Sequence, residues 1–227
     1  MRESIVDYVG IRGYPEETAE VAGVEMKLAS LRDIETENIL SMIDKYYYTN
    51  AHPSIRELIV ENAELTIDLV RSVKAETKQD FAGPVARGNQ LTLTDLTADQ
   101  FTNVWGSTGA KDFTHTASST GSTAYIGTSS APESVAEEEG YVFLGFIEMS
   151  PTPKTNKILL TKNGDPYPYS NLVWDADEDY YLAPLPEPYF FPPESSYYID
   201  VNFFKTGSVE MKPVGFKVLQ AKNTLGL

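Results

Sequence analysis

Cysteine is absent from the chain, and its 227 residues include only two histidines and two tryptophans. The missing thiol excludes disulfide staples, thiolate metal sites and cysteine nucleophiles together, so stability has to come from packing. His52 precedes Pro53 and His115 lies in a polar stretch, so a histidine-based metal site or triad would have to draw its partners from far along the chain. Basic residues are also scarce, 18 against 33 acidic ones, for a formal net charge of -15 spread over both halves. Such a surface repels phosphate, and no direct nucleic-acid binding is expected. No run approaches the ~20 apolar residues of a membrane-spanning helix, and the first residues carry acids where a signal peptide needs an apolar core. Synthesis in the cytoplasm is therefore the expectation. Nucleophile-elbow, zinc-protease, phosphate-loop and dinucleotide motifs are missing too, and the expectation is that the chain is not an enzyme.

What the chain does have is a 41% apolar share, an 11% aromatic share and 14 tyrosines, enough for a sizeable core. The pattern changes near residue 81. Residues 1–80 read as a helical N-terminal region. A weak helix is expected from about Tyr14 toward Leu28. An amphipathic helix should run from Ser30 to about Tyr48 on Leu31, Ile34, Ile39, Met42, Ile43 and Tyr46. A second long helix follows the Thr49 to Pro53 break. Ser54 and Glu57 have capping-box spacing, and Leu58, Leu65, Leu69 and Val73 form a stripe with Ile55 and Asn62 beside it, toward Gln79. The two make an antiparallel helical hairpin.

Residues 81–227 read as β-structure. Strands are expected at Asn89 to Thr94, Gln100 to Trp105, Tyr141 to Ile147, Asn156 to Lys162, Asn171 to Trp174 and Tyr180 to Ala183. The Tyr141 to Ile147 run is apolar on both faces, as a covered central strand would be. Asn163-Gly164 is a hairpin-turn signal. From Gly106 to Ser134 the chain reads as a polar surface loop or a projecting contact loop, with Thr123 to Ile126 as its one strand candidate. Pro184, Pro186, Pro188, Pro192 and Pro193 cannot feed a sheet ladder, so this stretch should be an extended crossover or an edge. Two long strands close the chain. Tyr197, Ile199, Val201 and Phe203 alternate with polar partners in the first, and Val214, Phe216 and Val218 repeat the pattern in the second. Many strands with long connections suit a Greek-key β-sandwich of jelly-roll type better than a meander. The expected fold is thus mainly β, a jelly-roll domain preceded by an α-helical hairpin.

Few residues suggest chemistry. Asp175, Asp177 and Asp179 place alternate carboxylates where a calcium ion could gather oxygens, although Tyr180 and Pro186 occupy positions at which an EF-hand loop needs Gly and Glu. The bland reading is a solvated acidic turn, and no other cofactor is expected. Glu137 to Glu139 read as charged gatekeepers ahead of the apolar run. Glu148 and Asp200, both strand-borne, would be the carboxylates of a glycosidase-like site if they shared a cleft. Trp105, Trp174, Tyr189, Phe190 and Phe191 would serve either the core and subunit contacts or a sugar-binding surface.

The closing segment, Pro192-Pro193-Glu194-Ser195-Ser196-Tyr197-Tyr198-Ile199-Asp200-Val201 with Pro213-Val214-Gly215-Phe216-Lys217-Val218, resembles the end of the single jelly-roll capsid proteins of icosahedral viruses of prokaryotes, archaeal viruses or bacteriophages. The resemblance covers the region after residue 88 and is one of texture, with long strands, polar insertions and no cysteine. The helical first 80 residues depart from a bare jelly roll. The resemblance implies a virion structural protein, in particular the major capsid protein, located in the virion after synthesis in the host cytoplasm. Its partners would be copies of itself, other virion proteins and an internal membrane. Two alternatives come from other classes: a carbohydrate-binding or adhesion β-sandwich module, and a glycosidase-like enzyme on a β scaffold.

Overall fold

The computed structural model describes residues 18–21, 24–27, 43, 53–62, 65–69, 91–109, 112–167, 170–176 and 180–220. In chain order these form β1 (Thr18–Val21), β2 (Val24–Lys27), helix α1 (Pro53–Glu61), β3 (Leu91–Asp95), a 3-10 turn (Ala98–Gln100), β4 (Asn103–Val104) and β5 (Ser107–Thr108). There follow β6 (Thr114–Ala117), β7 (Gly121–Ile126), β8 (Glu133–Ser134), β9 (Glu139–Met149), β10 (Thr155–Lys162), β11 (Asp165–Pro166) and β12 (Ser170–Asn171). The last are β13 (Asp175–Ala176), β14 (Tyr181–Phe191), β15 (Ser196–Phe203) and β16 (Gly207–Gln220). Apart from the β1-β2 hairpin, the strands form two antiparallel sheets packed face to face. One runs β13-β14-β9-β16-β3, with β6 also on β16; the other runs β11-β10-β15-β7-β4-β5, with β12 on β10 and β8 on β15.

The inner faces follow from period-two alternation. In β15, Tyr197, Ile199, Val201 and Phe203 are all buried while Tyr198, Asp200 and Asn202 are half-buried, as the sequence pattern expects. They meet Tyr141, Phe143 and Phe146 of β9 and Phe191 of β14 across the core. The Phe191 and Tyr197 rings stack at 4.1 Å, and Phe143 lies edge-on to both Phe191 at 5.4 Å and Tyr197 at 6.3 Å. Each such pair adds about 0.5–1.5 kcal/mol beyond the area it buries.

β9 occupies the centre of its sheet between β14 and β16, and both its faces are covered. Its register against β16 shifts between Val214 and Gly215, so that Gly145 faces Val214, Phe143 faces Gly215, and Leu144 is the extra residue of a bulge. The bulge reverses the parity of the strand. Tyr141 and Phe143 before it, and Phe146 and Glu148 after it, all point inward. Val142 and Leu144 belong to the other face, with Leu182, Phe216 and Val218, and all five are fully buried apart from the inner core. Helix α1 packs here against β9 and β14. Its buried residues Ile55, Leu58 and Ile59 have the i, i+3, i+4 spacing of one helix face. Gly145 lets the helix come close, because a Cβ there would lie 3.2 Å from Ile55 Cδ1 and 2.7 Å from the Ala183 carbonyl oxygen.

Several expectations need correction. Residues 18–27 hold a strand hairpin, not a helix. Val21 pairs with Val24, leaving a two-residue connection that contains Gly23 between segments rich in Thr and Val, a composition that favours pairing over a helix. Helix α1 starts at Pro53, so Ser54 lies within its first turn and not ahead of it. Proline's fixed φ suits that first position. Residues 65–69 are again helical, but Leu65 is 38% exposed and Ile67 takes the buried position. Ile43 is helical and buried; the rest of the expected first helix, and the second beyond Leu69, lie outside the described residues. Gln100 to Trp105 gives a 3-10 turn and the two-residue β4 instead of one strand. The stretch from Gly106 to Ser134 supplies β5 to β8 and enters both sheets, so it is not a surface loop. In β12 only Asn171 of the Asn171 to Trp174 candidate is in a strand. The proline segment pairs with β9 through Tyr181 to Pro184 and Tyr189 to Phe191, and its register breaks where Pro186 and Pro188 fall.

Gly215 has no room for a side chain, since a Cβ would fall onto the Val142 carbonyl oxygen. Gly215→Ala and Gly145→Ala should therefore each lower the unfolding free energy by about 1–3 kcal/mol, Gly215→Ala the more, as urea midpoints would measure.

Candidate functional site

At one end of the six-stranded sheet, β6 and the start of β16 form a ribbon. Thr114 lies opposite Glu210, His115 opposite Val209 and Thr116 opposite Ser208. Glu210 in turn lies opposite Met149 of β9. Alternation gives this ribbon two faces of different chemistry.

The inner face is an aromatic plug. Phe113, Ala117 and Val209 are buried. The His115 imidazole stacks on the Trp105 indole at 4.7 Å and 16°, with Phe203 at 5.7 Å. Trp105 lies 4.6 Å from Tyr125, and its Nε1–H donates to the Phe113 carbonyl at 2.9 Å. Trp105 and Gly106 form the turn between β4 and β5 with φ of 53° and 67°. A bulky residue in this left-handed region is strained, and the ring contacts and the indole hydrogen bond hold it there. Burial pushes the His115 pKa down from its usual 6.5.

The outer face is a groove of about 590 Å³ lined by Thr114, Thr116, Met149, Ser150, Pro151, Ser208 and Glu210 together with the backbone of the ribbon. Its hydroxyls are held by neighbours. The Thr116 and Ser208 oxygens are 3.0 Å apart, and Thr114 Oγ1 donates to Asp112 Oδ1 at 2.7 Å. Hydrogen bonds from the Thr114 side chain and backbone hold the Asp112 carboxyl below the usual carboxylate range. Lys212 Nζ sits 2.7 Å from Glu210 Oε1 and 3.7 Å from Met149 Sδ.

Two buried carboxylates serve the framework. Glu148 is 0% exposed. It accepts from Ser150 Oγ and Lys154 N at 2.7 Å each, from Thr155 Oγ1 at 2.6 Å and from Thr155 N at 3.2 Å. Since Thr155 opens β10 in the opposite sheet, this carboxylate pins the crossover between the sheets. Glu133 accepts from the backbone N–H groups of Thr102 at 2.9 Å and Asn103 at 2.6 Å. Nearby, Tyr125 Oη donates across the core to the Met211 carbonyl at 2.6 Å, and burial pushes its pKa well above 10.0.

The structure separates the other residues singled out in the sequence. Glu148 sits on β9 and Asp200 on β15, in different sheets, with Glu148 pointing into the core. Asp200 is half-buried on its sheet's outer face, and burial raises its pKa. Asp175 is exposed on β13, whereas Asp177, Asp179 and His52 lie outside the described residues. Tyr189 and Phe191 belong to the core, and Trp105 and Trp174 pack against it. Trp174 Nε1–H donates to the Thr155 carbonyl at 2.7 Å. Phe190, on the opposite side of β14, is half-buried. Glu139 joins Lys217 at 2.5 Å and accepts from Tyr141 Oη at 3.1 Å; burial, and then the Glu139 charge, raise the Tyr141 pKa. Thr114, Thr116, Ser208 and Glu210 went unnoticed, though Phe113-Thr114-His115-Thr116-Ala117 does alternate.

Glu148→Ala should cost roughly 3 kcal/mol of stability because it leaves buried donors unpaired, and Glu148→Gln, which keeps one acceptor oxygen, about half of that, measured by chemical denaturation. The His115 pKa is lower in the folded state than in the unfolded chain. The stability contributed by its neutral form is therefore complete above pH 6.5 and lost as pH falls through the folded value. Melting temperatures should accordingly fall more steeply below pH 6.5 in the parent protein than in His115→Gln. No protein-family model matches the chain, and no curated protein matches its sequence.

Proposed function

We propose that the chain is a virion structural protein, in its most specific form the major capsid protein, which builds a shell through repeated contacts between copies. Strand order carries this reading. With β3, β7, β9, β10, β11, β14, β15 and β16 counted as one to eight, the sheets run 1-8-3-6 and 2-7-4-5. With β4, β5, β6, β8, β12 and β13 left aside, this order matches the one expected of a jelly roll, two Greek keys wound into a pair of sheets, an architecture common to viral capsid, lectin and cupin domains, and it supports the reading. A fold by itself names no activity. Three further features favour the shell. The inner core and the α1 layer make a thick, rigid block. The buried carboxylates Glu148 and Glu133 are engaged by backbone and hydroxyl donors of the framework. Apolar side chains at Val173 and Phe204 stand 70% and 43% exposed, available for contacts with neighbours.

In such a shell, interfaces of on the order of 1,000 Å² or more, each modest in strength, hold by repetition. The acidic surface leaves nucleic acid to be contacted by something else, an internal membrane or another virion protein. The finished location is the virion, reached from the host cytoplasm.

The test is assembly. The purified full chain should form large, regular particles in negative-stain micrographs and sediment as a discrete heavy species. Phe204→Glu with Val173→Glu should weaken assembly while leaving the melting temperature of the dispersed chain unchanged. A strictly monomeric mass at every salt and protein concentration would overturn the reading.

A further inference from the structure

The helix layer covers only part of the outer face of the six-stranded sheet. Around Gly145 the face lies under Ile55, whereas at the Met149 end it is open and forms the groove described above. The chemistry of that open end is selective. A purely apolar ligand would strip water from the Thr116 and Ser208 hydroxyls and from Glu210 without replacing those hydrogen bonds. Anions are disfavoured by Glu210, Asp112 and a net charge of -15. A cationic side chain would compete with Lys212, which already occupies Glu210 at 2.7 Å. Neutral molecules that offer many O–H groups remain.

The hydrogen-bond inventory agrees. Thr114 gives its proton to Asp112, and Ser150 has Glu148 and the Thr152 carbonyl within reach of its single proton, so both hydroxyls present lone pairs to the groove. Thr116 and Ser208 share one proton between them, which leaves the second hydroxyl hydrogen free to donate. Lys212 Nζ pairs with Glu210 Oε1, which leaves Glu210 Oε2 to accept from ligand hydroxyls. Met149 and Pro151 offer the apolar contact that the C–H face of a sugar ring needs. The volume of about 590 Å³ falls in the roughly 300–1,000 Å³ range of small-molecule sites. From these features we infer that the groove between β6, β16 and the end of β9 is a binding site for a neutral carbohydrate, one or two hexose units at a time. Binding is weak at a single site and gains strength where many copies present the groove together. The inference stands apart from the shell reading, since a dispersed subunit would carry the same groove.

Saturation-transfer difference NMR tests it on the full chain, because that measurement works equally on a monomer and on an assembled particle. The probes are glucose, galactose, mannose, N-acetylglucosamine, lactose and maltose at millimolar concentrations, with sialic acid and N-acetylarginine amide as charged comparisons. At least one neutral sugar should give saturable transfer, and sialic acid should give none. Ser208→Val and Glu210→Gln, both at partly or fully exposed positions, should each weaken binding by about tenfold with near-ultraviolet circular dichroism unchanged. Three results would overturn the inference: no transfer to any neutral sugar, transfer that both variants leave intact, or tighter binding of N-acetylarginine amide than of any sugar. The last would mark the groove as a seat for a basic side chain of a neighbouring protein.

Discussion

A strand that is apolar on both faces can exist only where both faces are dry, and β9 imposes that condition on everything around it. Tyr141, Phe143 and Phe146 turn to the second sheet, and Val142 and Leu144 turn the other way. Burying an aromatic or large aliphatic side chain is worth about 1.5–3 kcal/mol. Leaving either face of β9 in water would therefore forfeit several such terms. A sheet on one side and α1 on the other meet the demand. The bulge at Leu144 shifts which parity faces inward halfway along the strand.

The polar interior follows from the same arrangement. Strands distant in sequence lie side by side, so the chain must cross repeatedly from one sheet to the other at the ends of the sandwich. There, backbone N–H groups lose their ladder partners and need others. Glu148 collects those of Lys154 and Thr155, and Glu133 those of Thr102 and Asn103. Tyr125 spans the core to a carbonyl of β16. Of these, Glu148 alone was a candidate carboxylate in the sequence. Here their oxygens are occupied by the framework itself.

The functional reading then divides between block and surface. The two sheets and helix α1 pack around buried side chains on both sides of β9, which would suit the proposed building element. The groove at the uncovered end belongs to the surface of the chain. The proposed shell formation and the proposed sugar binding would thus draw on different residues. The first rests on strand order and exposed apolar side chains such as Phe204 and Val173, the second on Ser208, Glu210 and their neighbours on β6.

Much of the β region was legible because alternation is a local signal. Tyr197 to Phe203 in β15, the two-faced β9 and the Asn163-Gly164 turn after β10 all sit where their residues suggest, and the turn residue Asn163 has the positive φ that such a turn requires. The Thr18–Lys27 hairpin was misread because short segments with an acid every few residues satisfy a helical pattern as readily as a paired one. The Phe113 to Ala117 alternation was hidden by the Thr, Ser and Gly around it. The candidate site was less legible still: Thr114, Ser208 and Met149 are far apart in sequence and meet only because β6 and β9 both flank β16. Hydrophobic periodicity and turn chemistry act over a few residues, so the chain alone determined which segments are strands and which of their faces are apolar. Which strand lies beside which, where a buried carboxylate finds its donors, and which face stays open are set by contacts across a hundred residues, and these only the tertiary structure decided.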